Sequence, residues 1–364
     1  MDRDALARQA KELVDLIAAT PRAAGGEAEA RARQLCAEML RQNGFMVTEE
    51  PFAYSAFAGR YAVPLVGALL LGWFAFIGLA DDGRHAEAAA RSLPFLLLLP
   101  ALGYMLARAA PPPGLMSRSA TNLFAVRGER PTALLLAHLD SKSQPVPMLA
   151  RIAGIIAAAG AAVACLAAAF PGRSLDLPAA FWISTCAAGA AGSLAMAASL
   201  VGDRSPGALD NATGVAAALV TAASLPAGTP LCVALTSAEE LGLQGARALA
   251  RGHPVLPARM VNFDGIDDVG TLTCMARRDS PLAARIQASA RECVLQLKTR
   301  RVLPGIMVDA LALEGAGREA VTISKGNLST LARIHTPGDT PRRLSCRGVA
   351  EAADMVRNFL TREG

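Results

Sequence analysis

Acidic and imidazole side chains directly follow three predicted buried strands. They are His138 and Asp140 after the apolar run at 132–137, Glu239 and Glu240 after the run at 231–236, and Asp264 after the run that begins at 259. Open α/β sheets place their sites at the carboxyl ends of the strands, where such side chains meet. Imidazoles and carboxylates are ligands of divalent metal ions. The pattern therefore predicts a metal site at one edge of a sheet.

Two further candidate residues lie outside these strands. Asp210 precedes a predicted helix at 213–224, and His335 lies in the turn Ile334-His335-Thr336-Pro337-Gly338-Asp339-Thr340. The full set supplies two imidazoles, three carboxylate ligands and one additional Glu, close to what two divalent ions require. Adjacent extended residues point to opposite sides, so one Glu can bind metal while the other serves the attacking water as general base. Asp140 is expected to orient the ring of His138.

Each of these features also has a simpler explanation. A His after a strand is often structural, an Asp before a helix is often its N-cap, and a Glu-Glu pair often lies in a solvated turn. The other two histidines, His85 and His253, lack comparable settings and are interpreted as incidental. Only the combination favours a metal site over these alternatives.

Helices and strands alternate along the parts of the chain that must position the set. Apolar spacing predicts helices at 4–18, 27–43, 213–224, 280–296 and 346–362, and strands at 45–52, 121–126, 132–137, 231–236 and 259–263. Such alternation is typical of an α/β fold.

Four apolar runs interrupt this pattern, in a chain with 52% hydrophobic and 18% charged residues. They lie at 61–80, 93–107, 152–170 and 178–201; the second is shorter and contains Pro100. Their lengths predict transmembrane helices. Because Ala-rich runs are only moderately hydrophobic, buried core helices are the alternative.

The order of motifs requires these spans to come in pairs. The third and fourth runs separate His138 from Asp210. Since both residues belong to the predicted metal site, the chain has to enter the membrane after His138 and return to the same side before Asp210. We therefore predict a discontinuous catalytic domain at 1–58, 115–147 and 202–364, with transmembrane hairpins at 59–114 and 148–201.

Charge favours a catalytic domain in the cytoplasm, and so does an N-terminus without the apolar stretch of a signal peptide. The flanks on the catalytic side contain Arg60, Arg108, Arg118, Lys142, Arg151 and Arg204, against Arg84, Arg91 and Arg173 in the opposite loops. A multi-pass protein of a bacterial inner membrane is expected, with the lipid bilayer as a partner. Nucleic acid is excluded, since aromatics make up 4% and the net charge of +5 is scattered. Seven cysteines without a C-x-x-C pair predict no disulfide framework.

The ordered set resembles the zinc-dependent exopeptidases of metallopeptidase family twenty-eight, which include secreted bacterial aminopeptidases and glutaminyl cyclases. The resemblance covers about two thirds of the chain, including His138-Leu139-Asp140, Asp210-Asn211, Glu239-Glu240, Asn262-Phe263-Asp264 and His335-Thr336-Pro337-Gly338-Asp339-Thr340. It implies a three-layer α/β/α domain with a mixed, mostly parallel sheet, an aminopeptidase activity on peptide substrates, and two zinc ions per chain.

The same resemblance implies individual roles. Asp210 would bridge the two zinc ions, His138 and Asp264 would bind one, Glu240 and His335 would bind the other, and Glu239 would be the base. Ala310 stands where the family usually has His, which affects expected substrate contacts. A single-zinc acyl-transfer cyclase, a carboxypeptidase and a non-catalytic membrane scaffold are the alternatives.

Overall fold

The chain divides into two structural units, each assembled from separate stretches of sequence. The first, here the sheet unit, comprises Met1–Tyr54, Arg118–Ser143 and Asp203–Gly364; the second, the helical unit, comprises Ser55–Ser117 and Gln144–Gly202. The computed structural model describes residues 2–81, 83–96, 116–170, 177–253, 256–303, 305–315 and 318–363.

Strands and helices are numbered in chain order. The strands are β1 (Met46–Ser55), β2 (Ser117–Arg127), β3 (Ala133–His138), β4 (Leu231–Thr236), β5 (Arg259–Ile266), β6 (Thr271–Ala276), β7 (Leu297–Arg301) and β8 (Glu319–Gly326). The helices are α1 (Arg3–Ile17), α2 (Glu27–Gln42), α3 (Phe57–Gly78), α4 (His85–Arg91), α5 (Met148–Ala169), α6 (Ala179–Ala197), α7 (Thr213–Ser224), α8 (Gln244–Gly252), α9 (Pro281–Glu292), α10 (Ala310–Leu313), α11 (Leu328–Arg333) and α12 (Arg347–Glu363).

The strands form one eight-stranded sheet in the order β1-β2-β4-β3-β5-β8-β6-β7. The pairs β3–β4, β3–β5, β5–β8 and β6–β7 are parallel, whereas β2–β4 and β6–β8 are antiparallel. The sheet is therefore mixed and mostly parallel, as predicted. Because β4, β3 and β5 are adjacent and parallel, their carboxyl ends meet at one edge.

Alternate residues of the central strands enter two different cores. In β3, Leu135 and Ala137 pack in the larger core, which also contains residues of α1, α2, α7, α9 and α12. Leu134 and Leu136 pack in the smaller core with residues of α8 and α10. Since successive side chains point to opposite faces of a strand, helices cover both faces of the sheet.

Three strands at one side of the sheet escaped prediction from the sequence. They are β6, β7 and β8, of which β7 has the sequence Leu-Lys-Thr-Arg-Arg with its last four residues exposed at the sheet edge. Such an edge strand has no buried apolar run to identify it. The helix predicted at 280–296 ends at Glu292, because Val294 adopts φ 55° and Leu297 begins β7.

Three helices of the helical unit are long and apolar enough to span a bilayer by length and composition, among the residues described. They are α3, α5 and α6, with mean hydropathies of 1.9, 2.3 and 1.3. Within this unit, α6 packs against both α3 and α5. The predicted second span, 93–107, lies mostly outside the described residues.

The contact between α5 and α6 depends on small residues, which gives a stability prediction. A Cβ atom at Gly192 would lie 2.4 Å from the carbonyl oxygen of Gly154, whereas one at Gly160 would meet nothing within 4 Å. We expect Gly192→Leu to lower the melting temperature of the purified protein, at a cost of about 1–3 kcal/mol from overpacking. Gly160→Leu is the matched control on α5, and equal melting temperatures would contradict this packing.

Candidate metal centre

His138, the last residue of β3, belongs to a first group of potential ligand atoms. Its buried ring has Nδ1 3.0 Å from the carbonyl oxygen of Asp140. A carbonyl oxygen only accepts hydrogen bonds, so Nδ1 donates and Nε2 is available for a cation. Nε2 lies 3.2 Å from Oδ1 of Asp210 and 3.9 Å from Oδ1 of Asp264. The three ligand atoms of this first group lie within 4.8 Å of one another.

His335 belongs to a second group, which shares Asp210 with the first. Its Nε2 lies 2.9 Å from Oδ2 of Asp210 and 3.2 Å from Oε1 of Glu240. These three residues also offer ligand atoms within 4.8 Å of one another. Asp210 therefore presents one carboxylate oxygen to each imidazole.

A kinked turn at Ala208–Ala212, in which Asp210 and Asn211 have non-helical backbone angles, positions Asp210 directly before α7. The N–H groups of Leu209 and Asp210 donate to the carboxylate of Asp339 at 2.7 and 3.2 Å. The side-chain amide of Asn211 donates to the carbonyl oxygen of Phe263 at 2.9 Å, which connects this turn to β5 beside Asp264. The N-cap of α7 is Ala212, so Asp210 is not the cap that the simpler explanation proposed.

Glu239 and Glu240 lie in a turn after β4, where they are 6% and 8% exposed. Their N–H groups donate to Oδ1 and Oδ2 of Asp140 at 3.1 and 3.2 Å. This burial contradicts the alternative of a solvated acidic turn. Asp140 thus orients His138 through its backbone carbonyl. Its carboxylate also holds the backbone of both Glu residues, and this second role was not predicted from the sequence.

Glu239 belongs to neither ligand group but lies beside the first, with Oε2 3.9 Å from Nε2 of His138. Burial raises the pKa of Glu239 well above its usual value; His138 lowers it, and the carboxylates of Glu240 and Asp264 raise it further. A raised pKa favours proton uptake, which is the property that a general base needs.

The charges of this cluster favour a cation at its centre. Burial raises the pKa of Asp210, but hydrogen bonds with His138 and His335 outweigh burial and hold it well below its usual value. Burial lowers the pKa of His138, but Glu239 and the neighbouring Asp side chains raise it well above its usual value. Both shifts indicate that positive charge between these side chains is stabilised, and a divalent metal ion would supply such charge.

One ligand atom in particular fits a metal. Oε1 of Glu240 is buried and accepts no hydrogen bond from the described residues, although Nε2 of His335 lies 3.2 Å away. The donor set of imidazole nitrogen and carboxylate oxygen suits zinc and related divalent ions. The six residues singled out by sequence therefore come together at one sheet edge, and five of them form the two ligand groups.

Lys142 is a neighbour of this site that the sequence did not identify as part of it. Its Nζ lies 2.6 Å from Oε2 of Glu240. Burial lowers the pKa of Lys142, but Glu240 and Glu239 raise it, so the net shift is upward and the ammonium is kept. In the sequence, Lys142 counted only as a charge flanking an apolar run.

Arg22 was not predicted as part of the site either, because it lies between α1 and α2, far in sequence from the other site residues. Its fully buried guanidinium donates from Nε to the carbonyl oxygen of Leu139 at 2.8 Å and from Nη2 to that of Gly207 at 3.0 Å. Arg22 thus joins the loop after β3 to the loop that leads to Asp210. No local motif could have revealed it.

Asp309 is a buried carboxyl close to the site. It accepts a hydrogen bond from the hydroxyl of Thr236, while its Oδ1 has no hydrogen-bond partner among the residues described. Burial raises the pKa of Asp309 to about 7. Ala310, where the resemblance led us to expect His, is buried at the start of α10.

The contact of Asp339 with the Asp210 turn gives a second stability prediction. In Asp339→Ala, the buried N–H groups of Leu209 and Asp210 lose their acceptors, at an expected cost of about 1–3 kcal/mol. Thermal unfolding of the purified protein measures this loss. Asp279→Ala is the control, since Asp279 is exposed and its ion pair among the described residues is with an exposed Arg301. Equal destabilisation by both variants would argue against a positioning role for Asp339.

Part of the chain that contains most of this site matches a known protein family. Residues 188–360 match the model of peptidase family M28. This segment contains Asp210, Glu239, Glu240, Asp264 and His335, whereas His138 precedes it. A search of curated proteins finds no match.

Solved structures share the fold at low sequence identity. A zinc aminopeptidase from Bacillus subtilis has a TM-score of 0.58 and 14% identity, covering 98% of this chain and 95% of its own. A glutaminyl cyclase from Porphyromonas gingivalis has a TM-score of 0.58 and 13% identity, covering 98% of both chains. An aminopeptidase from Aneurinibacillus sp. strain AM-1 has a TM-score of 0.58 and 14% identity, covering 98% of this chain and 93% of its own. Residues 188–360 therefore match peptidase family M28, within a mixed α/β fold that zinc aminopeptidases and glutaminyl cyclases share.

Proposed function

We propose that this protein is a membrane-bound zinc metallopeptidase of the aminopeptidase type. The observation that carries the proposal is the position of Asp210, whose two carboxylate oxygens face two different imidazoles at 3.2 and 2.9 Å. A carboxylate placed in this way suits the bridge between two metal ions. The match to peptidase family M28 and the likeness to zinc aminopeptidases support zinc as the metal.

The two ligand groups would each hold one zinc ion. Asp210 would bridge them, with His138 and Asp264 completing the first position, and Glu240 and His335 completing the second. Zinc bound there would polarise the peptide carbonyl and lower the pKa of the attacking water.

Glu239 would transfer the proton. Its buried carboxylate takes a proton from the attacking water and returns it to the leaving amine, so that a free amine and a new carboxylate are produced. Asp140 supports this step, because it accepts the N–H groups of both Glu239 and Glu240 and thereby fixes the base relative to a metal ligand. Asp140 is a positioning residue in this scheme.

Hydrolysis of aminoacyl p-nitroanilides by the detergent-purified protein tests the proposal. Release of p-nitroaniline should depend on bound zinc, and zinc content should be measured on the same samples by elemental analysis. A panel of side chains would define the residue preference. Full zinc loading without activity on any substrate with a free amine would overturn the aminopeptidase assignment.

A glutaminyl cyclase is the second candidate, since the fold matches those enzymes as well as it matches aminopeptidases. Both enzymes act on the amino-terminal residue of a peptide, but their products differ. Mass spectrometry of a peptide with N-terminal glutamine separates them: loss of ammonia with the chain intact indicates cyclisation, and release of glutamine indicates hydrolysis. One tightly bound zinc per chain would also favour the cyclase.

We further propose that α3, α5 and α6 lie in a lipid bilayer. Large apolar side chains on these helices are exposed, including Phe76 at 59%, Ile156 at 67% and Val163 at 66%. An exposed apolar surface of this kind is unfavourable in water but suits lipid. Retention of the protein in membrane pellets after alkaline carbonate extraction is expected; complete release would contradict membrane insertion.

The charge bias of the sequence favours a catalytic domain in the cytoplasm of a bacterium, with the spans in the inner membrane. A reporter fused after Gly364 tests this orientation. Fluorescent protein, which matures in the cytoplasm, should be bright, and alkaline phosphatase, which requires export, should be inactive. The opposite pair of results would reverse the assigned orientation.

A further inference from the structure

Lys142 places a cation against one of the two ligand groups. Its Nζ lies 2.6 Å from Oε2 of Glu240 and 3.5 Å from the carbonyl oxygen of the same residue. Its side chain is only 18% exposed. The ammonium is therefore partly removed from water and held by a residue that belongs to the second ligand group.

The backbone on both sides of Lys142 is anchored, so the contact is built into the loop. Ser141 donates its N–H to the carbonyl oxygen of Arg22 at 2.9 Å and its hydroxyl to that of Ser205 at 3.0 Å. Ser143 accepts the N–H of Arg204 at 2.9 Å through its hydroxyl oxygen. With its neighbours fixed, Lys142 has a defined direction toward Glu240.

Because of this contact, the two ligand groups differ in local charge. Among the described ion pairs, Asp264 in the first group contacts only His138, whereas Glu240 in the second group contacts both His335 and Lys142. Lys142 neutralises part of the charge that Glu240 would offer a metal, and it repels another cation at short range. It also contacts Oε2, which leaves Oε1, the oxygen that faces His335, to bind a metal.

We propose that Lys142 makes the two zinc positions unequal, so that zinc binds tightly with His138, Asp210 and Asp264 and more weakly with Asp210, Glu240 and His335. This inference rests on the proposed function. Occupancy of the second position then follows the free zinc concentration, which makes a fully loaded site dependent on zinc supply.

Zinc binding to the full-length, detergent-purified protein tests this inference without an activity assay. Zinc-chelator buffers set the free zinc concentration, and elemental analysis gives the number of ions bound. Two steps are expected for the unaltered protein, with the second dissociation constant at least about tenfold weaker. In Lys142→Met, which keeps the chain length but removes the charge, the second step should tighten at least about tenfold.

Lys142→Arg is the matched control, because it keeps a positive charge beside Glu240, and the gap between the two steps should persist. Asp264→Asn assigns the steps, since it should weaken the tight step. Circular dichroism and thermal melting verify that each variant is folded; Lys142→Gln provides a second neutral substitution if Lys142→Met is not.

Three results would overturn the inference. The first is two equally tight steps in the unaltered protein, the second is a neutral variant whose second step is unchanged or weaker, and the third is one bound zinc in both proteins. One bound zinc in the unaltered protein but two in the neutral variant would support the inference in its strongest form. Failure of the proposed function is distinguishable, because it would appear as no zinc bound in any variant, or as full loading without hydrolysis.

Discussion

The Glu239→Gln protein is expected to retain its zinc but to hydrolyse aminoacyl substrates about 10²–10⁴-fold more slowly, the usual contribution of a general base. Glutamine has the shape of glutamate but cannot take up the proton of the attacking water. The backbone N–H of residue 239 would still donate to Asp140, so the turn should keep its conformation. The measurements are kcat on the best aminoacyl substrate and zinc content by elemental analysis.

Glu129→Gln is the matched control, since Glu129 is exposed in the turn between β2 and β3. It should leave both kcat and zinc content unchanged. A Glu239→Gln protein with undiminished turnover would remove Glu239 from the mechanism. Loss of zinc together with turnover would instead make it a ligand.

The Asp210→Asn substitution is expected to weaken zinc at both positions. Asp210 supplies one oxygen to each ligand group, so the neutral and weaker ligand affects both groups at once. Loss of partners that merely support a ligand costs about 10–100-fold in metal affinity, and loss of a shared ligand should exceed this. Hydrolysis should fall below detection at low free zinc.

Comparison of two variants gives this prediction its specificity. Asp264→Asn should weaken one position only, because Asp264 belongs to the first group alone. Asp203→Asn is the control for a change of charge close in sequence, and Asp203 is exposed. If Asp210→Asn lost no more zinc than Asp264→Asn, Asp210 would not be a bridging ligand.

The strand ends could be predicted because local sequence determines them. His138, Glu239 and Asp264 each follow or end a run of buried apolar residues, and parallel strands bring their carboxyl ends together without further information. Local patterns do not identify residues whose partners are distant in sequence. Asp339 lies 129 residues from Asp210, and its role depends on a turn that no local pattern specifies.

The packing of the apolar helices against one another could not be predicted from the sequence either. The apolar runs of α3, α5 and α6 predicted helices, but the small residues that allow close helix packing are spread along α5 and α6, so the sequence did not show which helices are neighbours. The structure places α6 against both α3 and α5. Lys142 illustrates the same limit at the site, because its charge was evident while its direction toward Glu240 depends on anchors at Arg22, Arg204 and Ser205.

The insertion of α5 and α6 between His138 and Asp210 has a consequence for biosynthesis. A ribosome completes His138 first, then both apolar helices, and only afterwards Asp210 and the remaining ligands. Neither ligand group exists in a nascent chain that ends before residue 210. A partly made chain would therefore lack both ligand groups, and they could form only after the apolar segment had left the ribosome.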